Sequence, residues 1–270
     1  MNQSEQKYND RADKIDSLLC VGLDTDTAKI PERFRTEEFP QFAFNKHIIE
    51  TTAPFASAFK LNIAFYEARG AEGMKELEMT MEYLRSAYPD VFLICDAKRG
   101  DLENTNEQYA TALFDRLGFD AVTVQPYLGG EPLAPFLDRK DKITIILCRT
   151  SNPGAGEIQD LRIEEKPLWQ IVAEKVRDSW NENGNCMLVA GATYPEEMRI
   201  LRKLMGDMTF LMPGVGKQGG NLEEAIRAGL NSAKKGLIVN ASRSIIYAEN
   251  PAEEARKLRE EINKFRVIPA

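Results

Sequence analysis

Histidine is nearly missing from this sequence: among 270 residues there is one, His47. A zinc site built on histidines is therefore ruled out, and a Ser-His-Asp site would have to use that single residue. Its setting, FAFNKHIIE, has Phe42, Ile48 and Ile49 at spacings that predict a helix packed on a core, with His47 in a surface role. Cysteine is scarce as well. Cys20, Cys95, Cys148 and Cys186 stand far apart in apolar runs such as LLCVGL and TIILCRT, which suits neither a disulfide framework nor a C-x-x-C metal knuckle. All four read as buried small hydrophobes. No apolar run approaches the roughly 18 residues of a membrane span, and the opening MNQSEQKYNDRADK lacks the basic-then-apolar pattern of a signal peptide. The expectation is a soluble, cytoplasmic protein. Basic residues are not in excess either, since the net charge of −7 argues against nucleic acid or an anionic membrane as the main partner. An anionic substrate must then be met by a local cluster of cations.

What the sequence does have is a regular alternation. A 43% share of hydrophobic residues at this length suffices for one large core, and eight short apolar runs recur along the chain. They are LLCVGL (18–23), ASAFKLN (56–62), VFLIC (91–95), AVTVQ (121–125), ITIILC (143–148), CMLVAG (186–191), TFLMPG (209–214) and GLIVN (236–240). Longer segments with helical spacing separate them, such as Tyr109, Leu113 and Leu117, or Leu258, Ile262 and Phe265. Asn250 before Pro251 reads as the cap and first turn of a final helix. Continuous apolar strands alternating with amphipathic helices imply a parallel sheet covered by helices. Eight units fit one α/β domain, a (β/α)₈ TIM barrel over residues 1–270 with a short N-terminal helix; the alternative is an open doubly wound sheet. The segment SNPGAGEIQDLRIEEKP (151–167) is expected to be an irregular loop, either a mobile flap or a passive connection.

In such a barrel the polar residues at the strand ends share one mouth. They are Asp24 after the first run, Lys60 and Asn62 in the second, Asp96 and Lys98 after the third, Gln125 in the fourth and Arg149 to Asn152 after the fifth. The sequence DAKRGD (96–101) sets Lys98 between Asp96 and Asp101. Strand alternation would point Asp96 and Lys98 to one side, and Gly100 would let the chain turn Asp101 toward them. Two neighbouring carboxylates favour a charged lysine. A Schiff-base lysine needs the opposite environment, so Lys98 is suited to giving a proton.

A second constellation is PGVGKQGG (213–220), whose Gly214, Gly216, Gly219 and Gly220 free backbone N–H groups ahead of a helix start near Asn221. Arg243 follows the eighth run and supplies a forked cation. Barrels commonly bind phosphate after strands seven and eight, where both features fall. A proton donor and a phosphate grip in one mouth suggest a phosphorylated substrate that passes through a carbanion.

The run Asp96-Ala-Lys98-Arg99-Gly100-Asp101, with Thr105 four residues on, resembles the D-x-K-x-x-D-x-x-x-T signature of the orotidine 5′-phosphate decarboxylase family. The resemblance extends through CVGLDTD, FKLNIAFYE, CRTSNPGA, MPGVGKQGG and ASRSIIYA, in order, and is greatest to the longer bacterial branch with DAKRGD, type 2. It implies a cytoplasmic homodimeric barrel that needs neither metal nor organic cofactor and converts orotidine 5′-phosphate to uridine 5′-phosphate and carbon dioxide. It also implies that Lys60, Asp96, Lys98 and Asp101 form an alternating charge network, with Lys98 protonating the ring carbon. By the same resemblance Asp24 and Lys60 hold the ribose, Ser151 meets the pyrimidine, and Gln218 and Arg243 hold the phosphate. Asp101 and Thr105 would come from the partner subunit. Leu102-Glu103 departs from the more usual Ile-Gly or Ile-Pro, which concerns the local shape of that loop. The rivals are a magnesium-dependent sugar-phosphate decarboxylase or aldolase-type synthase with a similar motif, which uses a histidine acid, and a non-catalytic phosphate-ligand sensor.

Overall fold

Strands buried on both faces need continuous apolar sequence, and the eight apolar runs form such strands. The computed structural model describes residues 2–215 and 222–266. In chain order the strands are β1 (Leu19–Gly22), β2 (Ala58–Asn62), β3 (Phe92–Arg99), β4 (Ala121–Val124), β5 (Ile143–Arg149), β6 (Arg162–Ile163), β7 (Lys166–Pro167), β8 (Cys186–Ala190), β9 (Phe210–Met212) and β10 (Leu237–Ala241). All but β6 and β7 close into one barrel in the order β1-β10-β9-β8-β5-β4-β3-β2. Every pair in it is parallel, and β1 bonds both β2 and β10, so no open edge is left for a doubly wound sheet. The chain is a single (β/α)₈ TIM barrel.

One end of the barrel is closed by the helix Gln3–Lys14, capped by Asn2, whose Oδ1 accepts from Ser4 N at 2.8 Å. Tyr8 donates its hydroxyl to the Leu237 carbonyl at the start of β10, and Ser4 donates to the Asp141 carbonyl just before β5. Arg11 donates to the carbonyls of Ala53 and Ala56 ahead of β2. These contacts all lie where strands begin, so the carboxyl ends of the strands form the free mouth.

The outer helices follow the apolar spacing. The segment with Tyr109 and Leu113 is the helix Glu103–Ala110, continued by a wider π-type turn over Thr111–Arg116 that buries Leu113 and Phe114. The last helix is Pro251–Arg266; Asn250 Oδ1 accepts from Glu253 N at 3.1 Å, and Ile262 is fully buried. His47 sits on the helix Pro40–Thr52, half-buried beside Phe34, with its ring nitrogen 3.3 Å from Arg33. Burial, aided by Arg33, lowers its pKa from the ordinary histidine value. The four cysteines are free and buried.

The 151–167 segment differs from the irregular loop expected of it. It winds through a 3₁₀ turn (Pro153–Ala155) and a short helix (Gly156–Gln159) and ends in the antiparallel hairpin β6–β7. Arg149, 3% exposed at the end of β5, braces this excursion through Asp160 and reaches Glu197 on the helix Pro195–Met205. Its guanidinium lies 3.9 Å over the Tyr194 ring, so Arg149 serves the packing around the mouth.

Candidate active site

Four side chains from three neighbouring strand ends form a chain of alternating charge. Lys60 Nζ on β2 lies 3.2 Å from Asp24 Oδ1 and 3.1 Å from Asp96 Oδ2. Lys98 Nζ lies 2.6 Å from the other Asp96 oxygen, Oδ1. Lys60 is buried, and burial by itself penalises its ammonium; Asp24 and Asp96 outweigh that penalty and hold its pKa above the ordinary lysine value. Burial likewise opposes ionisation of Asp96, but Lys60 and Lys98 overcome it and hold the carboxyl well below the usual carboxylate range. The thiols of Cys20 and Cys95 beside the chain are pushed up by burial and stay neutral at physiological pH. Lys98 is the outermost member, with half of its side chain exposed, so its amine is anchored on Asp96 and retains donors for a ligand in the mouth.

Asp96 and Lys98 do meet, but regular strand alternation is not the cause. Cys95 pairs with Val122 and Arg99 with Val124, so three residues of β3 oppose Thr123 alone. This bulge puts Lys98 in the left-handed region, φ +47°, a conformation rare for a residue with a Cβ. Thr123, missed in the sequence, is buried at its centre: its hydroxyl accepts from Lys98 N at 3.0 Å and donates to Asp96 Oδ1 at 3.0 Å. The available signal was a lone hydroxyl inside the otherwise apolar AVTV.

Asp101 does not join Lys98 of its own chain, contrary to the turn expected at Gly100. Among the described residues it forms no ion pair, and its Oδ1 accepts from Leu102 N at 2.7 Å. Buried Asn106, also missed in the sequence, holds the turn by accepting from Asp101 N and donating to the carbonyls of Asp101 and Pro132. Thr105 lies on the same helix, half-buried, with its N–H bonded to the Leu102 carbonyl. Gln125 after β4 donates to the Gly100 carbonyl at 2.7 Å, tying the loops after β3 and β4 together. Gly100 is required by this contact, since a Cβ there would lie 2.5 Å from the Gln125 carbonyl oxygen.

Across the mouth, a cavity of about 210 Å³ is lined by Ser151, Pro213, Gly214, Val215, Asn240 and Ser242 to Ser244. It brings Ser151 together with Gly214 (φ +96°) and Arg243. Close packing shapes it: a Cβ on Gly191 would come within 2.9 Å of the Ser151 backbone, and one on Gly22 within 2.8 Å of Ser242 Cβ. Arg243 opens the short helix after β10, is exposed, and forms no ion pair among the described residues. Gln218, Gly216, Gly219 and Gly220 lie outside the described residues. Among the described residues no three histidine, cysteine or carboxylate side chains are grouped so as to hold a metal ion, and no helix is long and apolar enough to cross a membrane.

A polar cavity lined by Arg243, with a fixed ammonium at the same barrel mouth, has the groups to bind an anionic molecule at one point and stabilise negative charge developing at another. The family model described as orotidine 5′-phosphate decarboxylase / HUMPS family matches residues 17–258. An orotidine 5′-phosphate decarboxylase of Cellvibrio japonicus is 47% identical over 259 residues, covering 93% of this chain and 94% of that protein. One of Christiangramia forsetii is 46% identical over 252 residues, covering 93% and 92%. The solved structure of Leishmania donovani OMP decarboxylase superposes with a TM-score of 0.88 at 36% identity, covering 98% of this chain and 99% of that one. With the match running through every strand of the barrel, the chain belongs to the orotidine 5′-phosphate decarboxylase / HUMPS family.

Proposed function

We propose that this chain decarboxylates orotidine 5′-phosphate to uridine 5′-phosphate in pyrimidine synthesis, with Lys98 as the proton donor. The observation that carries this reading is the unbroken series Asp24–Lys60–Asp96–Lys98, which ends in a half-exposed ammonium at the mouth. Departure of carbon dioxide breaks the bond between the ring carbon and its carboxylate and leaves the electron pair on that carbon. The Lys98 ammonium, already fixed by Asp96, stabilises the pair, gives it a proton and recovers one from water. Asp96 stays ionised beside the substrate carboxylate, and their repulsion disappears as carbon dioxide leaves. Asp24 and Lys60 hold the ribose, Ser151 the pyrimidine, and Arg243 with Gln218 and the 214–220 glycines the phosphate. Binding energy from the phosphate then supports turnover as well as affinity.

The same reading makes the enzyme a homodimer in which Asp101 and Thr105 complete the partner's site. Asp101 is held firmly by Asn106 yet bonds neither lysine of its own chain, which fits a residue meant for another mouth. Leu102, Tyr127 and Leu128 are exposed on the two loops that Gln125 ties together, an apolar surface that suits a second copy. The reading places the enzyme in the cytoplasm, where buried free thiols stay reduced, and requires no metal or organic cofactor. The test follows loss of orotidine 5′-phosphate absorbance with purified protein in excess chelator. Turnover should be the same with and without chelator; turnover that chelator abolishes and magnesium restores would contradict the metal-free mechanism, and no turnover of this nucleotide under either condition would favour the sugar-phosphate chemistry instead.

A further inference from the structure

We propose that Thr123 is a positioning residue for the decarboxylation, holding Asp96 and Lys98 in register through one hydroxyl. The inference rests on the reading that Lys98 carries the proton, and it goes beyond it by asking what keeps Lys98 in place.

The backbone poses the problem. In a regular parallel ladder each N–H of β3 would have a carbonyl partner on a neighbouring strand. The bulge removes that regularity where the two functional residues lie, because Asp96, Ala97 and Lys98 face Thr123 alone. Lys98 also has positive φ, a conformation that persists in a non-glycine residue when its surroundings over-determine it. The Thr123 hydroxyl supplies that determination. It accepts from the Lys98 N–H and donates its only proton to Asp96 Oδ1, each at 3.0 Å. The same carboxylate oxygen receives the Lys98 ammonium at 2.6 Å. Backbone amide, hydroxyl, carboxylate and ammonium therefore close a ring through two residues of β3 and one of β4. Thr123 is 1% exposed, so water cannot readily replace it. Lys60 fixes the other oxygen, Asp96 Oδ2, which leaves Thr123 as the group that sets the Oδ1 side of the carboxylate toward Lys98.

Valine has nearly the shape of threonine but can neither accept from the amide nor donate to the carboxylate. Thr123→Val should fold, keep KM and uridine 5′-phosphate affinity within about threefold, and lower kcat on the order of 10²-fold, as for misplacement of a reacting group. Thr123→Ser restores the hydroxyl and should return kcat to within about threefold of wild type. Urea midpoints and product binding are measured on both variants, with Lys98→Ala in the same assay. A purely structural role would lower stability in both variants with little effect on kcat. The proposal is overturned if Thr123→Val keeps wild-type kcat, if valine and serine lose kcat alike, or if product binding falls in proportion to turnover. Should Lys98→Ala retain turnover, the proton-donor reading fails instead, whatever Thr123→Val does.

Discussion

Lys60 shows how a buried charge is held in this protein. Its ammonium is almost wholly removed from water and repaid by two carboxylates about 3 Å away, so removing it leaves Asp24 and Asp96 without their shared cation. Lys60→Met should cost about 3–5 kcal/mol in urea unfolding at pH 7. The pH dependence follows from the two shifts. The raised pKa of Lys60 gives stability that is present below the ordinary lysine value and lost only as pH climbs through the raised one. The depressed pKa of Asp96 gives stability present above the ordinary carboxylate value and lost as pH falls through the depressed one. The gap between wild type and Lys60→Met should therefore stay flat from about pH 5 to about pH 10 and shrink below the ordinary carboxylate range. A gap that widened in acid would contradict this assignment of charges. At this scale the sequence was informative about charged groups and silent about their supports. Lys60, Asp96 and Lys98 declare themselves at strand ends, whereas Thr123 and Asn106 act through single hydrogen bonds that depend on backbone geometry.

Among the elements, β3 does the most for function. Its apolar half was legible as VFLIC because a strand buried on both faces must be apolar throughout. Its polar half was not, because alternation assumes a regular ladder and the chain inserts a bulge there. Gly100 was expected to serve a turn; its requirement here is the approach of Gln125, whose carbonyl oxygen leaves no room for a Cβ. Gly100→Ala should thus push the loops after β3 and β4 apart, costing about 1–3 kcal/mol of stability together with a loss of kcat. Wild-type urea midpoint and kcat in that variant would mean the contact has no mechanical role. The hairpin β6–β7 also escaped the sequence, since two-residue strands within LRIEEKP carry no periodicity to read. All eight barrel strands were legible for the opposite reason: each is a short apolar run, and closure depends on their number and order.

The whole molecule adds the question of where one site ends. The barrel places the ion series and the cavity lined by Ser151 and Arg243 at one mouth, yet Asp101 forms no ion pair with the lysines of its own chain among the described residues. On the proposed reading, against a net charge of −7, the exposed cations Lys98 and Arg243 are the features that would draw a phosphorylated substrate to that mouth, Lys60 being buried and already paired. If a second copy completes the site, the two roles can be separated genetically. Lys98→Ala and Asp101→Asn homodimers should each be nearly inactive. A mixed dimer has one site carrying both substitutions and one carrying neither. The deciding measurement is therefore kcat of the two variants, purified separately and then mixed in equal amounts under conditions that exchange subunits. Each alone should fall by about four orders of magnitude or more, and an equal mixture should recover about a quarter of wild-type activity. Near-normal turnover by Lys98→Ala alone, or a mixture no more active than its parts, would contradict this reading.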